Sequence, residues 1–274
     1  MIPRVIFDKS IFHKDRFTNL KSSSLASHVA SGSIQLIYTA HFVEETLRYG
    51  FINPSHFRTQ WNYLTSLNSS KWFKHTNALL AIELGNLITG RKYYLQSQKE
   101  VQQAIQGAPS MISGKMPPDQ LGRANEQIRQ NNLNSEELRR QLIETRTKHP
   151  QANYDLEEFV NQKTEWYIEK GLMNWHPHSE RYLSVWKSNH AKCRFTKSHI
   201  RAALATLLLP NVDHQLKLDR NDKTDAEQLA FLEWGDIFVS DDMKFMKRAF
   251  EFLYHDTPKQ FMNSSKFISF LQQL

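Results

Sequence analysis

Residues 219–245 read DRNDKTDAEQLAFLEWGDIFVSDDMKF, and the order of patterns within them decides the fold class. Ala226, Leu229, Ala230 and Leu232 recur at three- and four-residue spacing, which predicts an amphipathic helix. Gly235 and Asp236 break that helix. Ile237, Phe238 and Val239 follow as a short apolar run bounded by a turn signal, the pattern of a buried strand. Asp241 and Asp242 stand where the strand ends, and Asp225 stands at the start of the helix. In an open α/β sheet, sites assemble beyond the C-terminal ends of the strands. A chain that returns Asp225 to that edge gathers carboxylates for which an ordinary fold has no structural need.

The same strand-then-acid pattern opens the chain. Residues 2–8, IPRVIFD, form an apolar run without polar alternation, as expected of a strand buried on both faces of a parallel sheet. Asp8 closes it, where it serves either as the cap of a following helix or as a functional group. A second unit joins a strand over Ile34–Tyr38, preceded by a Ser31-Gly32-Ser33 turn, to a helix over Thr39–Gly50. Phe42, Thr46 and Tyr49 share one face of that helix, and Gly50 reads as its stop. Glu44 and Glu45 occupy adjacent positions, so at most one points into a given cleft. Solvation or helix-dipole compensation is the plainer role for either one. Strands alternating with helices predict an α/β fold on a mainly parallel sheet.

The middle of the chain differs. A helix over residues 55–67 carries Phe57, Trp61 and Leu64 on one face, and residues 76–105 read as mostly helical with an interruption near Gly90. Composition shifts at Gly107, where GAPSMISGKMPPD has the residues of a loop or linker. From there to about residue 175 we expect a mostly helical insertion within one domain spanning residues 1–274. Its polar part, with Arg123, Arg129, Arg139, Arg140, Arg146 and Lys148, reads as a solvated face or as an arm gripping a phosphate backbone. His176 and His178 flank a proline without any cysteine, which is not a zinc pattern. Residues 179–209 read as helical with a basic middle: Lys187, His190, Lys192, Arg194, Lys197, His199 and Arg201. Trp186 and Phe195 interleave with that charge, and we expect a phosphate-facing surface there. Two further helices close the chain, over residues 246–256 and over the terminal FISFLQQL.

The 274 residues carry a formal net charge of +7. Lys- and Arg-rich surfaces attract polyanions, nucleic acid above all. A single cysteine, Cys193, excludes an internal disulfide. No apolar run approaches the roughly 20 residues that span a bilayer, and MIPRVIFDKSIF reads as a strand rather than a signal segment. These features predict a cytoplasmic chain with no membrane partner. Clustered carboxylates raise one another's pKa. They therefore imply either held protons or a hard cation such as Mg²⁺ or Mn²⁺, which prefers oxygen ligands.

VIFD at the N-terminus, FVEETLRYG in the second unit and DAEQLAFLEWGDIFVSDDMKF near the C-terminus together resemble the PIN-domain family of metal-dependent nucleases. The last stretch is the most specific. It has an acid opening a helix (Asp225), an apolar strand, then Ser240, one residue, Asp242, and Phe245 three residues later. The resemblance implies a three-layer α/β/α sandwich and hydrolysis of phosphodiester bonds in single-stranded RNA. It makes Asp8, Glu45, Asp225 and Asp242 the catalytic, Mg²⁺- or Mn²⁺-holding acids, with Ser240 supporting them. Glu44, Asp222 and Asp241 are further acids that could share the metal. Lys187, Lys192, Arg194, Lys197 and Arg201 would hold the nucleic acid. The resemblance covers about half the chain, and family members are typically much shorter. Rival readings are a non-catalytic RNA-binding or scaffold protein of the same fold and a DNA-directed flap-type nuclease. A homo-oligomer, or an inhibitor partner of the antitoxin kind, is compatible with each.

Overall fold

The computed structural model describes residues 2–67, 70–86, 94–114, 140, 179–212 and 222–274. Three apolar runs form the centre of its sheet: β1 (Arg4–Phe7), β2 (Gln35–Tyr38) and β4 (Ile237–Val239). Two short strands, β3 (Lys71–Trp72) and β5 (Gln260–Met262), complete it. All neighbours pair in parallel, in the order β3-β2-β1-β4-β5. Successive residues of a strand face opposite sides of a sheet. Val5 and Phe7 enter one apolar cluster and Ile6 the other, and Phe238 likewise opposes Ile237 and Val239. Both faces are buried, which is why these strands read as unbroken apolar runs.

The helices follow in chain order. After a 3₁₀ turn at Lys9–Phe12 come α1 (Lys14–Ser22), α2 (Leu25–Ser31), α3 (Ala40–Ile52) and α4 (Pro54–Ser66). These cover the Val5 face through Phe17, Leu25, Phe42 and Trp61. α5 (Thr76–Asn86) crosses to the Ile6 face, while α6 (Gln98–Ile112) returns to the Val5 face through Ala108. α7 (Ser179–Asn189) forms an outer cluster with α5 and α8 (Arg194–Val212). α8, α9 (Asp222–Leu229) and α10 (Phe245–Tyr254) cover the Ile6 face, and α11 (Ser264–Leu271) covers the other. The result is a three-layer α/β/α sandwich on an all-parallel sheet, as the alternation of patterns predicts. Among the described residues no helix is long and apolar enough to cross a membrane.

Several local expectations need correction. Gly50 does not stop its helix; α3 continues to Ile52. A Cβ at Gly50 would lie 2.8 Å from the Phe57 ring and from Ile112 Cδ1. The glycine therefore serves close packing of α4 and α6 on α3, not termination. The predicted loop at Gly107 is helical through Pro109 to Ile112, because Ala108 is buried in the core. The helix predicted from Ala226 through Leu232 tightens into a 3₁₀ turn at Ala230–Glu233. Gly32, in contrast, is a C-terminal cap as its position suggests, with φ of +75° and its N–H donating to Val29 O. Residues 115–139 and 141–178, which hold most of the predicted insertion, its arginines apart from Arg140, and His176 and His178, lie outside the described residues.

Candidate functional site

The chain builds the sheet outward from β1 to β3 and then returns to β4 on the other side of β1. The strand order therefore reverses between β1 and β4. Beyond the C-terminal ends of the strands, such a switch point opens a crevice. Register places Phe7 opposite Val239, and Asp8 N–H donates to Val239 O at 2.9 Å. Asp8 thus stands beside Ser240 at the mouth of the crevice.

Asp8 is held on every side. Its carboxylate accepts from Lys9 N–H at 2.7 Å and Ser10 N–H at 3.3 Å, so it caps the 3₁₀ turn. It also accepts from Ser240 Oγ at 2.7 Å and from the Ser10 hydroxyl. Ser240 Oγ in turn accepts from Asp242 N–H at 3.1 Å, and Ser10 Oγ accepts from Asp241 N–H at 2.9 Å. Capping and site-building are therefore one arrangement at Asp8, not competing roles. Asp242 braces the turn leading into the next helix by accepting from Lys244 and Phe245 N–H at 2.9 and 3.0 Å.

Glu45 and Asp225 come to the same crevice from α3 and α9. Burial pushes the Glu45 carboxyl up to about 7, and the charge of Asp8 adds to this; Arg48 and Lys9 oppose it, and Glu44 reinforces it. Burial also holds Asp225 well above the usual carboxylate range. Glu45, Asp8, Asp222 and Asp242 each push it further. Glu45 Oε2 and Asp225 Oδ1 are buried without a hydrogen-bond partner. Two acids whose ionised forms are this unfavourable either keep protons near neutrality or need a cation.

The neighbouring acids divide between the cluster and other tasks. Glu44 turns to His75, 3.5 Å away at the rim. Asp241 turns away to the start of α11, where it accepts from Ser264 N–H and Oγ, each at 3.0 Å. Its other oxygen faces Arg16 at 3.5 Å. Asp222 is buried and acts on Asp225.

The donor set is all oxygen, and its unpartnered buried oxygens suit a hard divalent cation. Among the described residues no three His, Cys, Asp or Glu side chains stand in ligating geometry around one point. A cation held here would keep water ligands or draw the carboxylates inward, as Mg²⁺ commonly does.

The basic residues predicted to hold nucleic acid are elsewhere. Lys187, Lys192, Arg194 and Lys197 are exposed around the junction of α7 and α8. Arg194 pairs with Glu233 at 3.1 Å, and Phe195 stacks on Trp234 at 5.0 Å between centroids. Both partners precede β4, so this junction lies at the strand end opposite Asp242. Trp186 and Phe195 are core residues and not surface stacking platforms, and His199 is buried as well. Arg201 is half-buried on α8. Buried Glu83 explains the local fold: it accepts from Phe195 N–H, Thr196 N–H and Thr196 Oγ at 3.0, 2.7 and 2.6 Å, capping α8.

Residue-by-residue reading of the sequence missed Lys9, Ser10 and Gln60. Lys9 and Ser10 adjoin Asp8, which is the only signal of theirs in the sequence. Gln60 lies among helical residues with no distinguishing pattern. His41 was missed too. It is buried, 3.1 Å from Thr76 Oγ1 and 3.8 Å from Glu227, and burial pushes its imidazole down to about 4. No family model matches the chain, and no curated protein or solved structure matches it.

Proposed function

We propose that this chain is a Mg²⁺- or Mn²⁺-dependent nuclease that hydrolyses phosphodiester bonds of single-stranded RNA at the Asp8–Glu45–Asp225–Asp242 cluster. One observation carries the reading: at the sheet's switch point, Glu45 and Asp225 are buried with unpartnered oxygens and both resist ionisation. A fold that needed only stability would replace such a pair by apolar residues, because buried unpaired charge is costly.

A divalent cation there supplies Lewis acidity toward the phosphate and makes water a better nucleophile near neutral pH. Asp8, Glu45, Asp225 and Asp242 would hold it. The protein's own contribution is preorganisation. Ser240 and Ser10 fix the Asp8 carboxylate, and the start of α10 fixes Asp242. Arg48 acts on Glu45 and Arg16 faces Asp241, so positive charge stands on the side of the acids, where a polyanionic substrate must approach.

The test is cleavage of a labelled single-stranded RNA pool, with single-stranded DNA in parallel, in Mn²⁺ or EDTA. Wild type should cut RNA only with metal, and Asp225→Asn and Asp242→Asn should abolish cutting. Asp242→Asn keeps an oxygen that can accept from Lys244 and Phe245 N–H, so a loss of activity would not reflect a lost turn. Cutting in EDTA, or undiminished cutting by both variants, would overturn the reading.

A second reading, non-catalytic RNA binding, draws on the exposed Lys187, Lys192, Arg194 and Lys197 around the junction of α7 and α8, which lies at the opposite strand end from Asp242. Under it, wild type binds RNA without cutting. Reversing those charges to glutamate then weakens binding uniformly across sequences and lowers the salt slope by about one for each phosphate no longer neutralised.

A further inference from the structure

The side chain of Lys9 turns inward beside the acids and does not extend into water. Its ammonium donates to Gln60 Oε1. Gln60 is fully buried on α4, and its amide N–H donates to Phe12 O, which fixes its orientation. The ammonium also lies 5.1 Å from the Tyr49 ring centroid and 5.4 Å from that of Phe12. Tyr49 stands four residues after Glu45, on the same face of α3. Burial pushes the Lys9 ammonium down to about 8, and the charges of Glu45 and Asp8 act against that push. Burying an ammonium is costly unless something compensates. Here the field of the carboxylates, a dedicated amide and two ring faces offset part of that cost. The hydrogen bond goes to Gln60, while Glu45 Oε2 and Asp225 Oδ1 stay without a partner. The charge is thus supplied without occupying the oxygens a cation would use.

We propose that Lys9 is a positioning residue, an internal counter-ion tethered by Gln60 that neutralises the carboxylate cluster in the metal-free chain and thereby sets its affinity for a divalent cation. The proposal rests on the reading that the cluster takes such a cation. A positive charge beside the acids favours their ionised forms when the metal is absent and repels the metal when it arrives. Removing the charge should therefore widen the stability gap between the metal-bound and metal-free states. A lysine that only packs the interior would affect both states alike.

The experiment uses the full chain and Mn²⁺ alone, with calorimetric titration and thermal melts in EDTA or Mn²⁺. Lys9→Met should bind Mn²⁺ at least about tenfold more tightly than wild type, since a repulsion of about 1.4 kcal/mol between nearby charges is one decade. At pH 7, where the ammonium is charged, it should also show a larger gain in melting temperature with Mn²⁺. Gln60→Met, which keeps the lysine but unties it, should shift both readouts in the same direction by less, and it is the variant to read if Lys9→Met does not fold. Asp225→Asn should lose Mn²⁺ binding. Unchanged or weaker Mn²⁺ binding in the folded Lys9 or Gln60 variants, with Asp225→Asn still impaired, would overturn the role of Lys9 and leave the metal site standing. Absence of Mn²⁺ binding in both wild type and Lys9→Met would overturn the two together.

Discussion

Ser240 Oγ lies 2.7 Å from Asp8 Oδ2, joining residues 232 positions apart across the point where the sheet reverses its strand order. The same hydroxyl accepts from Asp242 N–H, so one side chain couples two of the four acids. Ser240→Ala would strip a donor from buried Asp8 and orphan that N–H. It should destabilise the fold by about 1–3 kcal/mol, read as a lower denaturant midpoint with unchanged slope. A variant as stable as wild type would mean the hydroxyl is dispensable.

The Glu45 carboxyl gives the metal-free chain a pH dependence of defined sign. Its pKa in the fold, about 7, lies above its unfolded value near 4.5. Its contribution is therefore fully present below about 4.5 and is lost as pH rises through about 7, up to about 3 kcal/mol. His41 opposes this, because its pKa is depressed to about 4 and its contribution grows with pH between about 4 and 6.5. The difference between wild type and Glu45→Gln isolates the glutamate. In EDTA, Glu45→Gln should gain stability relative to wild type between pH 5 and 8. A constant difference across that range would rule out the buried, charge-resisting carboxyl.

Metal removal gives a second measurement. If the cluster takes Mn²⁺, wild type at a hundredfold excess over its dissociation constant should be stabilised by about 2.7 kcal/mol relative to EDTA. Asp225→Asn should lose most of that gain while melting higher than wild type in EDTA at neutral pH, because the amide removes a carboxyl that burial and four neighbouring acids disfavour. Equal melting of the two proteins in EDTA would contradict the assigned burial.

Gly50 is a packing position within α3. A Cβ there would lie 2.8 Å from atoms of Phe57 and Ile112. Despite alanine's better helix propensity, Gly50→Ala should destabilise by about 1–3 kcal/mol through overpacking. Stabilisation would show that α4 and α6 can yield.

Glu83→Ala should cost about 2–4 kcal/mol by leaving the Phe195 and Thr196 N–H groups at the start of α8 without their acceptor. Under the nuclease reading, cleavage per folded molecule should be unchanged, because Glu83 serves the opposite strand end from Asp242.

Much of this fold is legible in the sequence because burial leaves a local periodic trace. RVIF, QLIY and IFV read as strands since each is buried on both faces, and Ala226, Leu229, Ala230 and Leu232 mark a helix face at the period of the helix itself. The acids at strand and helix ends stand out for the same local reason. Other features carry no local trace. β3 and β5 are two and three residues long and exist through pairing with β2 and β4. The register that sets Asp8 against Ser240 and the turn of Glu45 toward Asp8, with Glu44 beside His75, are relations between distant segments. So are the tether of Lys9 to Gln60 and the placement of Arg194 at the far strand end. The sequence by itself determined the three central strands and where each of them stops, because those follow from the spacing of apolar side chains. Only the tertiary structure decided which acids share a crevice and that the Lys9 ammonium sits among them, because charges interact through space and not along the chain.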